Sequence, residues 1–148
     1  MTSKGLGFRD TFTEKATMKF EIKKTDEEWK TVLTPEQYYV LRQEGTEAPF
    51  NNEYHNSKVN GIYHCAGCDF PLFSSKTKFD SKTGWPSFWE PIEPTAVGTK
   101  TDWKLIYPRT EVHCQRCGGH QGHLFKDGPP PTGLRYCINS AALVFHSA

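Results

Sequence analysis

Five cysteines, at positions 65, 68, 114, 117 and 137, are the residues best suited to chemistry, and their spacing divides them. Cys65-Ala66-Gly67-Cys68 and Cys114-Gln115-Arg116-Cys117 are C-x-x-C pairs, the spacing at which two thiolates grip one metal from a tight turn, with Gly67 and Gly118 easing the turns. Together they make a tetrahedral four-sulfur site. Four thiolates favour zinc or iron, and two separated knuckles in a small β-rich chain point to one structural zinc per chain, closed to further chemistry. The 45 residues between the knuckles are no obstacle, because loop-closure entropy grows only logarithmically. Two independent redox motifs are the opposing reading, but these want a βαβ setting that the sequence does not offer.

Cys137 is left over, in the stretch Gly133-Leu134-Arg135-Tyr136-Cys137-Ile138-Asn139-Ser140. It is either a small core residue or a nucleophile. At strand period Leu134, Tyr136 and Ile138 share one face, and Arg135, Cys137 and Asn139 the other. A cation beside a thiol favours the thiolate, which tips the balance towards a nucleophile. Gly118-Gly119-His120-Gln121-Gly122-His123-Leu124-Phe125-Lys126-Asp127 follows the second knuckle and brings two histidines three residues apart. Taken alone they are as readily structural; beside a reactive cysteine, His120 and His123 become candidate proton donors, with Asp127 able to orient one of them. Gly84-Trp85-Pro86-Ser87-Phe88-Trp89 packs aromatics around a proline. On its own it reads as core; at the edge of a cleft, Trp85 would give a thioether methyl a flat apolar surface.

The elements that must position these groups are short. Thr25-Asp26-Glu27-Glu28 and Thr34-Pro35-Glu36-Gln37 are capping boxes ahead of apolar residues at helical spacing, and Gly45 is a C-terminal stop for the second helix. From Ala48 onward the pieces GIYHC, PLF, KFD, SFWE, WKLIY, EVHC, GHLF and LRYCINSAALVF lie between turn residues, too close together for intervening helices. They predict a compact, mainly β core of antiparallel strands, with Gly128 to Gly133 as a rigid proline loop. Residues 1–24 are expected to be a loosely ordered arm and 25–148 one catalytic domain.

With 148 residues, 36% hydrophobic, and a net charge of +1, the chain has no general field for nucleic acid or an anionic membrane surface. No apolar run approaches the ~18 residues of a membrane span, and the N-terminus has no apolar signal block. The expected setting is the reducing cytoplasm, with Asp10 and Glu14 arguing mildly against an organelle transit peptide.

The knuckles CAGC and CQRC, then GWPSF, GHQGHLFKDGPPPTG and RYCINS, follow one another in an order that resembles the B-type methionine sulfoxide reductases (MsrB) from about Trp29 to Phe145. The resemblance implies two small antiparallel sheets with N-terminal helices, and reduction of methionine-R-sulfoxide in damaged proteins. It implies Cys137 as nucleophile, zinc on Cys65, Cys68, Cys114 and Cys117, and a substrate site including Trp85, His120, His123, Arg135 and Asn139. Phe125 and Asp127, from the same motifs, are placed in that site too. Gln121 and Leu124 stand where many members have leucine and valine. Thr83 stands where many have a second, resolving cysteine.

The expected chemistry follows. The Cys137 thiolate attacks the sulfoxide sulfur while His123 or His120 protonates the departing oxygen, leaving a sulfenic acid on Cys137. Five thiols less four ligands leave no internal partner, so an external thiol, from thioredoxin, glutaredoxin with glutathione, or a small dithiol, must restore the enzyme. The expected state is a monomer. The rivals are a zinc-knuckle module that binds a peptide or small ligand without chemistry, and a zinc-ribbon nucleic-acid binder, which the charge balance opposes.

Overall fold

The computed structural model describes residues 20–148, so most of the expected N-terminal arm lies outside the described residues. Helices α1 (Asp26–Val32) and α2 (Pro35–Gln43) both begin at the predicted capping boxes. The Thr25 hydroxyl accepts from the Glu28 amide at 3.1 Å while the Glu28 carboxylate accepts from the Thr25 amide at 2.8 Å, and Thr34 and Gln37 repeat both bonds. Such a cap is worth about 1 kcal/mol. Trp29, Leu33, Val40 and Leu41 are the buried stripe of the pair. The left-handed residue that ends α2 is Glu44, with φ 58°, rather than the expected Gly45. Gly45 lies next, against the Tyr39 ring, where a side chain would not fit. No described helix is long and apolar enough to cross a membrane.

Nine strands follow: β1 (Gly61–Cys65), β2 (Pro71–Ser74), β3 (Lys78–Phe79), β4 (Ser87–Phe88), β5 (Val97–Asp102), β6 (Arg109–Cys114), β7 (His120–Phe125), β8 (Arg135–Ile138) and β9 (Leu143–Ser147). They form two antiparallel sheets, in the orders β2-β1-β9 and β3-β4-β8-β7-β6-β5. The mainly β expectation therefore holds. Tyr63, Phe73 and Phe88 pack between the sheets, with Tyr63 and Phe88 edge to face at 5.3 Å and Phe73 and Phe88 stacked at 4.5 Å.

Two strand expectations change. The run WKLIY is not a strand; the strand is the polar segment before it, β5, an edge strand with one side free to be polar. Asp102 and Arg109 are the last pair of the β5–β6 ladder, and the connection beyond them leaves Trp103 71% and Ile106 97% exposed. The run LRYCINSAALVF is two strands, β8 and β9, in different sheets, separated by a 3-10 turn at Ser140–Ala142. The buried Glu47 carboxylate causes the break: it accepts from the Ser140 amide and from the Ala141 amide, the latter at 2.8 Å, amides that a continuing strand would have spent on a neighbour.

Candidate active site and metal cluster

Cys65 ends β1 and Cys114 ends β6, while Cys68 and Cys117 sit in the turns that follow, so the four sulfurs bridge the two sheets. All four lie within 4.8 Å of one another, with 3.7 Å between Cys65 and Cys117 and 3.6 Å between Cys68 and Cys114. Thiolates about 2.3 Å from a central ion at the corners of a tetrahedron would be about 3.8 Å apart, so the cluster fits one metal ion. Backbone amides also point at three of the sulfurs. The Gly67 amide donates to Cys65 at 3.3 Å, Arg116 to Cys114 and Gly119 to Cys117 at 3.4 Å each. Gln121 adds a fourth donor, its side-chain nitrogen reaching Cys65 at 3.5 Å from a fully buried position. The mild sequence departure at Gln121 thus serves the cluster.

On the six-stranded sheet, direct partners run across five strands in one row: Lys100, Glu111, His123, Cys137 and Ser87. The adjoining row of the same face holds the pairs Asp102 with Arg109 and Phe125 with Arg135. Val112, Tyr136, Ile138 and Phe88 have the opposite parity and turn to the core. Period-two alternation therefore collects the charged and reactive groups on one side. Gly122 belongs to this geometry: β8 comes so close to it that a Cβ would strike the Cys137 carbonyl. Only glycine allows that approach between the two histidines.

A cavity of about 230 Å³ opens on this face, lined by Trp85, His123, Phe125, Arg135, Cys137 and Asn139 together with Thr46, Thr83, Arg109 and Gly122. Trp85 is fixed by its indole N–H, which donates to the Glu47 carbonyl at 3.0 Å. The Arg135 guanidinium lies 4.3 Å from the centre of the Phe125 ring. Burial pushes the Cys137 thiol above its usual range, with Arg135 and the Thr83 hydroxyl opposing. His123 donates its Nε2–H to the Asp102 carboxylate over 2.8 Å, and burial holds its imidazole below its usual value although Asp102 pulls the other way. For Asp102 burial alone would raise the carboxyl, but His123, the Lys104 amide and Arg109 outweigh it and bring it to about 2. At neutral pH the site thus rests with a thiol, a neutral imidazole and an ionised carboxylate.

The profile of the SelR domain matches residues 33–147. A protein of Agrobacterium fabrum named peptide methionine sulfoxide reductase MsrB is 55% identical over 125 residues, 84% of this chain and 93% of its own length. The MsrB of Thiobacillus denitrificans is 58% identical over 123 residues, 83% and 93% of the two chains. A rice protein named peptide methionine sulfoxide reductase B1, chloroplastic, is 60% identical over 120 residues, 80% of this chain and 56% of its own. The chain belongs to the B-type methionine sulfoxide reductase family.

Within this MsrB chain the expected site residues separate. Trp85, His123, Phe125, Arg135, Cys137 and Asn139 come together around the cavity. Asn139 does so through its position, since both ends of its amide are committed: it accepts from the Glu47 amide and donates to the Gln121 carbonyl, each at 3.0 Å. His120 is 2% exposed and does not line the cavity; its Nδ1 pairs with the buried Glu111 carboxylate. Asp127 does not orient a histidine. It takes Arg135 in a two-pronged ion pair, at 2.8 and 3.1 Å, at the solvent edge. Short-range spacing suggested Asp127, but the sheet brings Asp102 and Glu111 to the histidines from neighbouring strands. Sequence reasoning missed Asp102, Glu111 and Glu47: the first two reach the histidines only through the pairing of β5, β6 and β7, and Glu47 lies in a loop.

Proposed function

We propose that this chain reduces methionine-R-sulfoxide to methionine, with Cys137 as nucleophile and His123 as the group that carries the proton. The observation that supports this best is the direct cross-strand pairing of His123 with Cys137 on the wall of a cavity floored by Trp85 and Phe125. His123 takes the Cys137 proton and the thiolate attacks the sulfoxide sulfur. The same proton passes from His123 to the departing oxygen, so methionine leaves and the Cys137 sulfur keeps the hydroxyl as a sulfenic acid. Asp102 steadies the imidazolium while it exists. Arg135 and Thr83 ease ionisation of the thiol against its burial. Trp85 offers the apolar surface for the methyl group. At about 230 Å³ the cavity suits one side chain rather than a whole peptide, which favours methionine sulfoxide presented on a polypeptide. His120 acts behind His123, whose ring it meets edge to face at 5.4 Å, and Asp127 acts through Arg135.

The cluster of Cys65, Cys68, Cys114 and Cys117 would hold zinc, which four thiolates and no open position favour, and the ion would supply cross-linking of the two sheets rather than catalysis. With those four sulfurs together, Cys137 has no thiol partner in the chain. The position facing it holds Thr83, hydrogen-bonded to Ser81 at 2.7 Å. An external thiol, of thioredoxin, glutaredoxin with glutathione or a small dithiol, therefore attacks the sulfenic sulfur and releases water; a second thiol then frees Cys137. We place the residues from 25 onward in one catalytic domain that works as a monomer in the cytoplasm, an organelle being the alternative that the chloroplastic name of the rice relative raises.

One turnover with methionine-R-sulfoxide and no reductant, followed by mass spectrometry with a sulfenic-acid trap, tests this. The expected product is a trapped adduct on Cys137; an intramolecular disulfide at Cys137 would overturn the external-thiol step.

A further inference from the structure

We propose that His64, Asp69 and His146 form a second metal site, on the outer surface of the three-stranded sheet, for a divalent cation of the zinc type. Their three ligand atoms lie within 4.8 Å of one another. His146 Nε2 is 2.9 Å and His64 Nδ1 3.6 Å from the Asp69 carboxylate, and the two imidazole rings lie with centroids 3.9 Å apart. Two ligands about 2.0–2.1 Å from one ion, at angles between octahedral and tetrahedral, are about 2.9–3.4 Å apart, so small side-chain adjustments bring these groups onto one cation.

The scaffold is rigid where it matters. His64 lies on β1 and His146 on β9, adjacent antiparallel strands in which Ile62 pairs with His146 and His64 with Val144. The two histidines are thus diagonal neighbours on one face. Asp69 sits in the left-handed region, φ 63°, fixed by its amide donating to the Cys65 carbonyl at 2.7 Å. The Asp69 carbonyl is 2.8 Å from His64 Nδ1. With the ring proton moved to Nε2, the Nδ1 lone pair is turned to Asp69, and the ion would sit between them. Two imidazoles and a carboxylate suit zinc, copper or nickel better than calcium or magnesium. Three protein ligands, with Asp69 and His146 well exposed, leave the remaining positions to water.

The site is separate from the four-thiolate cluster yet touches the same turn from outside, because His64 precedes Cys65 and Asp69 follows Cys68. An ion there ties β9, the last strand, to the first knuckle.

Calorimetric titration with zinc ions decides it, on the full chain already loaded with one equivalent and carrying Cys137→Ser, so that the free thiol cannot capture the added metal. A second, weaker equivalent is expected. Its affinity should fall tenfold or more in His146→Ala and His64→Ala with the first equivalent retained, since even outer partners of a ligand are worth about 10- to 100-fold. One equivalent only, or a second one that both variants keep, overturns the proposal. His146→Ala, on the exposed side of β9, carries the test alone if His64→Ala disturbs the adjoining knuckle.

Discussion

The knuckle cysteines and Cys137 differ less in their side chains than in what the backbone around them is free to do. In the knuckle turns, amides without a ladder partner point at sulfur: those of Gly67, Arg116 and Gly119 reach their cysteines at 3.3–3.4 Å. In β8, Cys137 stands between β4 and β7 in the middle of a sheet, where the main chain pairs with neighbouring strands. Its charge must come from side chains, Arg135 and Thr83, working against burial. Turn thiols meet amide donors that favour the anion, the form that binds a metal. The strand thiol rests protonated, directly across the ladder from His123, the base of the proposed mechanism.

The contrast is broken most severely by Cys137→Ser. Turnover of methionine-R-sulfoxide should fall by about 10⁴-fold or more, while bound metal and melting temperature stay those of the parent. Cys117→Ser is the converse. It should lose metal, counted per chain by elemental analysis, and lower the melting temperature by about 10 °C or more, because metal binding and folding are coupled.

Asp102→Asn separates the base from its support. The Asp102 carboxyl titrates at about 2, below the ~3.9 of an unfolded chain, so the folded state binds fewer protons and its advantage is complete above pH ~4 and lost as pH falls towards 2. Urea unfolding at pH 5 and pH 2.5 should show the parent losing on the order of 1–2 kcal/mol more over this interval than Asp102→Asn. The smallest effect belongs to Gln121→Leu, which removes one donor to Cys65 together with a buried carbonyl oxygen that has no partner among the described residues. Stability should change by less than about 1 kcal/mol, while a chelator strips the metal several-fold faster.

How much of this was legible beforehand depended on range. The two capping boxes, the parity of Tyr136, Cys137 and Ile138, and the grouping of four cysteines are local patterns, and the structure contains each as read. The partners of the histidines were not legible. Asp102 is 21 residues from His123 and Glu111 is 9 from His120, and only strand pairing brings them together. An apolar run such as WKLIY resembles a strand because composition reports preference for burial, not whether a facing layer exists; here the ladder ends at Asp102 and Arg109 and no described residue covers Trp103 or Ile106. Glu47 was invisible because a buried carboxylate in a loop has no period, yet it holds Trp85, Asn139 and the turn between β8 and β9.

The second knuckle closes the β6–β7 hairpin through the Gly118 amide to the Cys114 carbonyl and the Cys114 amide to the Gly119 carbonyl, both at 2.9 Å, just beyond the irregularity between Val112 and His113. That turn is therefore the pin that sets which residue of β7 faces Glu111 and Cys137. A slip of one residue would turn His123 into the core and offer Gly122 or Leu124 in its place. Removing the ion should consequently silence the reaction from a distance, through mispaired strands, before the protein has visibly unfolded.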